Sequence, residues 1–197
     1  VFFINPVSGG KSKDVLIDKI KTACRKENLP FEILYTNAEG DYRFLPEKII
    51  KEKITDVAIC GGDGSLAPVI SFLLSTDVNV GIIPLGSGNG LARTAGIPNN
   101  ANKALKVIFS GKPVLVDAFR VNNRFGCQIT GFGFDALVAA EFAKERKRGL
   151  SAYTRLAVKN FFSARSYRFS LSFNGKLLDT EAFILCVANA NQFGNNM

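Results

Sequence analysis

The chain has 197 residues, of which 47% are hydrophobic and 21% are charged, and its formal net charge is +8. This length accommodates one large domain or two modest ones, and the hydrophobic fraction excludes a wholly disordered chain. No apolar run approaches the roughly 20 residues that span a bilayer. The positive charge favours anionic partners: phosphate groups, an anionic membrane surface or nucleic acid.

Histidine is absent from the sequence, which excludes a Ser-His-Asp triad and leaves proton transfer to Asp, Glu, Lys or water. Four cysteines are widely separated in apolar surroundings and form no CxxC pair. We therefore expect buried, reduced thiols in a cytosolic protein. The chain opens on VFFINP without an initiator methionine or a signal peptide, and we expect that one or two residues were trimmed.

Up to about residue 112, short apolar runs alternate with segments of helical periodicity. The pattern predicts strands at 1–4, 31–35, 56–60 and 80–84, and helices at 12–27, 66–75 and 102–110. Alternation of strands and helices is typical of a parallel, doubly wound α/β sheet.

After Pro113 the pattern becomes that of hairpins. Strands are predicted at 115–121 and 124–130, around Asn122-Asn123, and at 169–173 and 177–183, around Asn174-Gly175. Asn-Gly favours the type I′ turn of a β-hairpin. Helices are predicted between the hairpins, at 136–148 and 152–162. We predict a second, mainly antiparallel domain, with the boundary near residue 112.

Three glycine-rich segments each follow a predicted parallel strand and precede a predicted helix. They read NPVSGGKSK (residues 5–13), GGDGS (61–65) and PLGSGNGLA (84–92). The carboxyl ends of parallel strands lie at one edge of the sheet, where ligands bind. Glycines there let main-chain amides converge on an anion, and the following helices add their positive ends. The segments predict a phosphate-binding edge, although neither common phosphate-loop pattern fits them.

Asp63 is the single acid within GGDGS. A carboxylate beside phosphates is suited to Mg²⁺ that bridges phosphate oxygens, or to activation of an attacking hydroxyl. The alternative is that Asp63 caps the helix predicted to begin near Leu66.

These segments, with GFGFDA (131–136) and VANANQFGNN (187–196), resemble in this order the diacylglycerol kinase catalytic-domain family, which includes bacterial soluble lipid kinases and sphingosine kinases. The resemblance covers nearly the whole chain. It implies an α/β nucleotide-binding domain over 1–112 and a β-sandwich-like, lipid-binding domain over 113–197, with the site in the cleft between them. The implied reaction is transfer of the γ-phosphoryl group of ATP to a lipid hydroxyl with Mg²⁺.

Family motifs assign roles to particular residues. Asp63 matches the acid that serves as base or organises Mg²⁺ through water, and Asp135 matches the position that binds the lipid's polar head in sphingosine kinases. Ser65 stands where the family usually has Thr, and keeps the hydroxyl. The implied nucleotide-binding residues are Asn5, Ser8, Gly9, Gly10, Thr36, Gly61, Gly62, Gly64, Ser65, Gly86, Ser87 and Asn89.

The sequence also departs from the family. GSGNGLA is nearer to sphingosine kinases than to the GTGNDFA of bacterial diacylglycerol kinases, so diacylglycerol and a sphingoid base both stay open as acceptors. The chain stops before the family's downstream Asp-Gly segment, so we expect a further C-terminal part. The resemblance implies a role in phospholipid biosynthesis, a cytoplasmic protein and transient contact with the membrane surface; a homodimer is left open.

Two other functions compete with this interpretation. NAD kinases and phosphofructokinases share a Gly-Gly-Asp-Gly loop, but no Asn-Glu pair or PKTIDND-like segment occurs here to support a soluble acceptor. A nucleic-acid-binding module is disfavoured because no recognised motif is present and the aromatic residues are mostly Phe in apolar runs. The basic segment KERKRG (144–149) is predicted as a solvated helix end, with contact to a membrane or phosphate as the alternative.

Overall fold

A computed structural model describes residues 1–10, 12–145 and 150–189. Among them are two compact units, Val1–Gln128 together with Asn189, and Ile129–Ala188. The elements of the first unit are β1 (Phe2–Ile4), α1 (Asp14–Lys26), β2 (Ile33–Tyr35), α2 (Leu45–Glu52), β3 (Asp56–Gly61), α3 (Asp63–Ser71), β4 (Asn79–Pro84), α4 (Gly90–Thr94), α5 (Ala101–Ser110), β5 (Phe119–Val121) and β6 (Arg124–Gly126).

The first four strands form one parallel sheet in the order β2-β1-β3-β4. Two apolar clusters cover its opposite faces because successive side chains of a strand alternate between faces. Phe3 and Ile59 pack with α2, α3 and α4, whereas Ile4 and Cys60 pack with α1 and α5. The predicted doubly wound sheet is confirmed.

Two helices of the first unit were not predicted. Helix α2 starts with a proline in its first turn and ends at Lys53, which adopts the left-handed conformation. Helix α4 has only five residues; it begins at Gly90, inside the third glycine-rich segment, and ends at Thr94, beyond it. Helix α3 begins at Asp63, three residues before the predicted start, because the extended residue Gly62 forms its N-cap.

The first hairpin is shorter than predicted and belongs to the first unit. Only Phe119–Val121 is a strand within the predicted 115–121, and the predicted 124–130 divides into β6 and β7 (Ile129–Gly133). Phe125 and Cys127 pack in the same apolar cluster as α3. Because of this packing, the division between compact units falls after Gln128 rather than near residue 112. The assignment of nucleotide and lipid functions to two domains stays a prediction.

The second unit contains β7, α6 (Phe134–Lys144), α7 (Leu150–Phe161), β8 (Tyr167–Phe173), β9 (Lys176–Ala182) and β10 (Ile184–Ala188). Strand β7 pairs with β10 and β8 pairs with β9, both antiparallel. Asn174 and Gly175 have positive φ, as a type I′ turn requires. The predicted antiparallel character is confirmed, and the β-sandwich arrangement stays a prediction.

Some sequence predictions fall partly outside the described residues: Lys11 of the first glycine-rich segment, 146–149 of the basic segment together with the end of the predicted helix 136–148, and 190–196 of the last family motif. All four cysteines are described and are free thiols, and three of them are buried, as predicted. Burial raises the pKa of Cys60 to about 12. Within the described ranges, every helix is too short or too polar to span a bilayer.

Candidate functional site

The three glycine-rich segments meet at the carboxyl edge of the parallel sheet. We call them loop 1 (5–13), loop 2 (61–65) and loop 3 (84–92). The main chains of loops 2 and 3 touch, because a Cβ atom added to Gly86 would lie only 2.6 Å from the Cα of Gly62. Gly9 of loop 1 has a φ of 70°, and a Cβ there would lie 2.8 Å from the carbonyl oxygen of Leu85. The loops therefore form one continuous surface.

This surface lies at the switch point of the sheet. Strand β1 stands between β2 and β3, so the chain first builds outward to β2 and then crosses back to β3 and β4. Such a reversal separates the loops that follow β1 and β3 and leaves a crevice at their strand ends. Loops 1 and 2 therefore lie on the two sides of this crevice.

Loops 1 and 2 are also joined by side chains. The Asn5 side-chain amide donates to Ser65 Oγ at 2.8 Å, while Asn5 Oδ1 accepts from the Val7 amide at 3.0 Å. Ser65 is buried, and Ser8–Gly10 form a 3₁₀ turn in which both glycines are exposed. Asn5 and Ser65 therefore hold the loops together, whereas Gly9 and Gly10 present main chain to solvent.

Asn89 closes loop 3 from within. Its side chain is buried, its φ is 54°, and its Oδ1 accepts from the Gly86 amide at 2.9 Å. Its side-chain nitrogen donates to the Gly86 carbonyl at 2.7 Å and to Asn99 Oδ1 at 3.3 Å. The Asn89 side chain therefore shapes the loop.

The remaining predicted nucleotide-binding residues lie at the same edge. Gly64 and Ser87 are exposed, and no atom would lie within 4 Å of a Cβ added to Gly64. Gly61 has no such room, because an added Cβ would overlap Ser65. Thr36 directly follows β2, and its amide donates to the Ile4 carbonyl at 3.0 Å.

Asp63 faces loop 3 and does not cap its own helix. Gly62 is the N-cap of α3, and no side chain completes that cap, so the helix-cap alternative is wrong. A Cβ added to Gly88 would lie 2.8 Å from Asp63 Oδ2, and one added to Gly90 would lie 3.7 Å from Oδ1. The first amides of α4 lower the pKa of Asp63, but its burial raises it and is the largest influence, so the pKa lies above its ordinary value.

The carboxylate of Asp63 is the candidate metal ligand at this edge. Oδ1 is buried and accepts no well-aligned hydrogen bond from the residues that the structure describes. Those residues also contain no group of three or more His, Cys, Asp or Glu side chains arranged to hold a metal. Mg²⁺ is commonly bound by one or two carboxylates together with substrate phosphates and water. Asp63 fits that arrangement if phosphate and water supply the other ligands.

Two contacts of this site were not predicted from the sequence. Arg93 Nε donates to the Gly88 carbonyl at 2.8 Å, and its charge lowers the pKa of Asp63. Gln128 donates to the main-chain carbonyl of Asp63 at 3.1 Å. Arg93 stands three residues after Gly90, one helical turn away, so its position could have been recognised. Gln128 is 65 residues from Asp63, and no local pattern indicates that contact.

Asp135 belongs to the second unit, in the first turn of α6. Its Oδ1 accepts a hydrogen bond from the hydroxyl of Tyr153 at 2.8 Å, and its Oδ2 lies against Gly131 of β7, where an added Cβ would overlap it. Asn189, from the last family motif, donates through its side chain to the carbonyls of Asp117 and Cys127 in the first unit.

A doubly wound α/β unit with glycine-rich loops at its switch point is an architecture that binds nucleotides and phosphates. Residues 1–121 match the family model of the diacylglycerol kinase catalytic domain. The chain therefore belongs to the diacylglycerol kinase catalytic-domain family, a family of kinases.

Proteins of similar sequence support the assignment to this family. The chain is 26% identical over 196 residues to "Probable lipid kinase YegS-like" of Shewanella frigidimarina, which covers 95% of this chain and 63% of that protein. It is 30% identical over 151 residues to "Probable lipid kinase YegS" of Shigella flexneri, which covers 73% of this chain and 50% of that protein. The chain thus spans about half to two thirds of the length of these curated relatives.

A solved structure of a diacylglycerol kinase from Bacillus anthracis str. Sterne has the same fold. Its TM-score is 0.72 at 23% sequence identity, and the match covers 100% of this chain and 65% of that one.

Proposed function

We propose that this protein is an ATP-dependent lipid kinase that transfers the γ-phosphoryl group of ATP to a lipid hydroxyl. The observation that carries the proposal is the continuous surface of loops 1, 2 and 3, with the carboxylate of Asp63 beside it. Membership of the kinase family and the names of the relatives support a phosphotransferase.

The loops would bind the nucleotide mainly through the main chain. Exposed glycines of loop 1, with Gly64 and Ser87, would direct amides at the phosphates, and Thr36 would contact the ribose. Asn5, Ser65 and Asn89 would act indirectly by holding the loops in place. A preorganised set of amides stabilises charge without reorganisation during the reaction.

In the proposed reaction, the acceptor hydroxyl oxygen forms a bond to the γ-phosphorus, and the bond from that phosphorus to the bridging oxygen of ADP breaks. The hydroxyl proton passes to Asp63, whose raised pKa makes it a stronger base than an exposed aspartate. When bound, Mg²⁺ would be held by phosphate oxygens, water and Asp63, and would neutralise the charge of the transferred group.

The acceptor in this proposal is diacylglycerol or a sphingoid base, whose polar head would contact Asp135. Because such lipids are dissolved in membranes, the protein would be cytoplasmic and would visit the membrane surface transiently. The net charge of +8 supports attraction to an anionic surface.

A labelling experiment tests the function. Full-length protein is incubated with Mg²⁺ and γ-labelled ATP, and micellar diacylglycerol, a sphingoid base, NAD and fructose 6-phosphate are offered in parallel. We expect label in one of the lipids. Label found only in NAD or in the sugar phosphate would support the soluble-acceptor alternative and refute the lipid kinase.

The role of Asp63 is tested in the same assay. Asp63→Asn should lower the transfer rate at least about 100-fold, because the base is lost, while binding of ATP without Mg²⁺, measured by calorimetry, is retained. The matched control is Asp77→Asn, which removes the same charge from an exposed position just before β4, and it should transfer at the wild-type rate. Wild-type transfer by Asp63→Asn would contradict the mechanism.

A further inference from the structure

The carboxylate of Asp135 is fixed from two sides within the second unit. The Tyr153 hydroxyl of α7 donates to its Oδ1 at 2.8 Å. Its Oδ2 lies over the main chain of β7 at Gly131, where only a residue without Cβ leaves room. Gly131 is paired with Cys186 of β10, so two strands form the floor beneath the carboxylate.

Tyr153 is itself held in place. Its ring packs edge-to-face against Phe142 of α6, with ring centroids 5.7 Å apart. Burial raises the pKa of Tyr153, and the hydrogen bond to Asp135 raises it further. The phenol therefore stays protonated and acts as a donor at neutral pH, so the carboxylate can serve only as its acceptor.

An ordinary structural role accounts poorly for this arrangement. Asp135 is only half-buried, and it does not cap α6, whose N-cap is Gly133 without a side-chain hydrogen bond. The hydrogen bond to Tyr153 uses Oδ1, yet a carboxylate has about four acceptor positions on its two oxygens. A partly exposed carboxylate with a fixed direction and unused acceptor positions is suited to a ligand that donates hydrogen bonds.

We propose that Tyr153 is a positioning residue for the acceptor lipid, which orients the carboxylate of Asp135 so that it accepts a hydrogen bond from an ammonium or hydroxyl group of that lipid other than the hydroxyl that is phosphorylated. This inference rests on the proposed lipid kinase function and adds the chemistry of the recognised group. Tyr153 acts through Asp135 and does not touch the reacting atoms.

The test is a double-mutant cycle in steady-state kinetics. Tyr153→Phe keeps the ring against Phe142 and removes only the hydroxyl. We expect it to raise the KM for the sphingoid base about tenfold, because the carboxylate is no longer held in the direction that the bound group requires, with the KM for ATP and kcat unchanged. Asp135→Asn should raise the lipid KM at least as much, and the double variant should be no worse than Asp135→Asn.

The control is Tyr167→Phe, which removes a phenolic hydroxyl from β8 in the same unit and should leave both KM values unchanged. The cycle is run with diacylglycerol and with a sphingoid base. Diacylglycerol carries a single hydroxyl, which is the one that is phosphorylated and gives its proton to Asp63, so its KM should not change. A raised KM for the sphingoid base alone supports the proposal, because only that lipid carries an ammonium group and a second hydroxyl. An equal rise in KM with both lipids would overturn it.

Two further results would overturn the inference while leaving the lipid kinase intact: an unchanged KM for the sphingoid base in Tyr153→Phe, or additive losses in the double variant. A general disturbance of the fold would also raise the KM for ATP, which would count against a positioning role. If the wild-type protein phosphorylates diacylglycerol alone, this inference fails and the lipid kinase stands. If it phosphorylates neither lipid, the proposed function fails, and this inference fails with it.

Discussion

Asn89 illustrates how one side chain closes a glycine-rich turn. Gly86 is partly buried and its main-chain amide and carbonyl both bond to the Asn89 side chain. Buried main-chain groups need such partners, since leaving one unsatisfied costs free energy. Asparagine also tolerates the left-handed conformation that this position adopts. Both properties suit Asn89 to support the contact between loops 2 and 3.

We expect Asn89→Ala to lower the free energy of unfolding by about 2 kcal/mol, because Gly86 loses two hydrogen bonds and alanine adopts positive φ poorly. Asn89→Gly loses the same hydrogen bonds, but glycine adopts the same backbone conformation without strain. The free energy of unfolding should therefore fall less in Asn89→Gly than in Asn89→Ala. Urea unfolding monitored by circular dichroism measures both. A stability of Asn89→Ala equal to that of the wild type would show that the side chain does not support the loop.

Residues of the site differed in how well they could be predicted. The position of Asp63 at the edge followed from its place directly after a strand, but the direction of its carboxylate did not. That direction depends on loop 3, which lies more than twenty residues further along the chain and reaches Asp63 only because β4 pairs beside β3. The bond of Gln128 to Asp63 was unpredictable for the same reason.

At the scale of elements, α2 shows why a short helix is missed. It spans Leu45–Glu52, two turns, and its apolar residues include Ile49 and Ile50 side by side. Adjacent isoleucines face different directions on a helix, so they do not form the spaced pattern that predicts one. Ile49 is 6% exposed and packs with Tyr42 and Leu73, whereas Ile50 is 77% exposed.

These neighbours provide a matched test of the core. Ile49→Ala should lower the free energy of unfolding by about 2–4 kcal/mol, since it leaves a cavity beside the sheet. Ile50→Ala changes the same chemical group on the same helix at the surface and should stay within about 0.5 kcal/mol of the wild type. Denaturant titrations measure the free energy of unfolding of both variants. Equal losses at both positions would contradict the assignment of faces on α2.

In the hairpins, the positions of the turns were predicted more accurately than the bounds of the strands. Asn174-Gly175 places the turn between β8 and β9 correctly, because few residues other than asparagine and glycine accept positive φ at both positions. The predicted strand 124–130 was too long, because β6 and β7 are adjacent strands that pair with different partners, β5 and β10. A strand pattern in the sequence does not reveal such a change of partner.

At the scale of the whole molecule, charge is the property most directly tied to the proposed membrane contact. With a net charge of +8, we expect the protein to bind vesicles that contain phosphatidylserine more tightly than vesicles of phosphatidylcholine alone. Raising the salt from about 0.1 to about 0.5 M should weaken that binding, because the Debye length shortens. Sedimentation with sucrose-loaded vesicles measures the fraction of protein that is bound. Equal binding to both vesicles at both salt concentrations would exclude an electrostatic contribution.

The amino-acid sequence by itself determined the alternation of strands and helices, the parallel sheet, the three glycine-rich segments at its edge and the family, because these depend on local periodicity and on motifs along the chain. Tertiary structure alone decided that loops 2 and 3 touch at Gly62 and Gly86, that Asp63 faces α4, and that Tyr153 holds Asp135. Those contacts join residues that are distant in the chain, and they follow from strand order and helix packing, which no local pattern encodes.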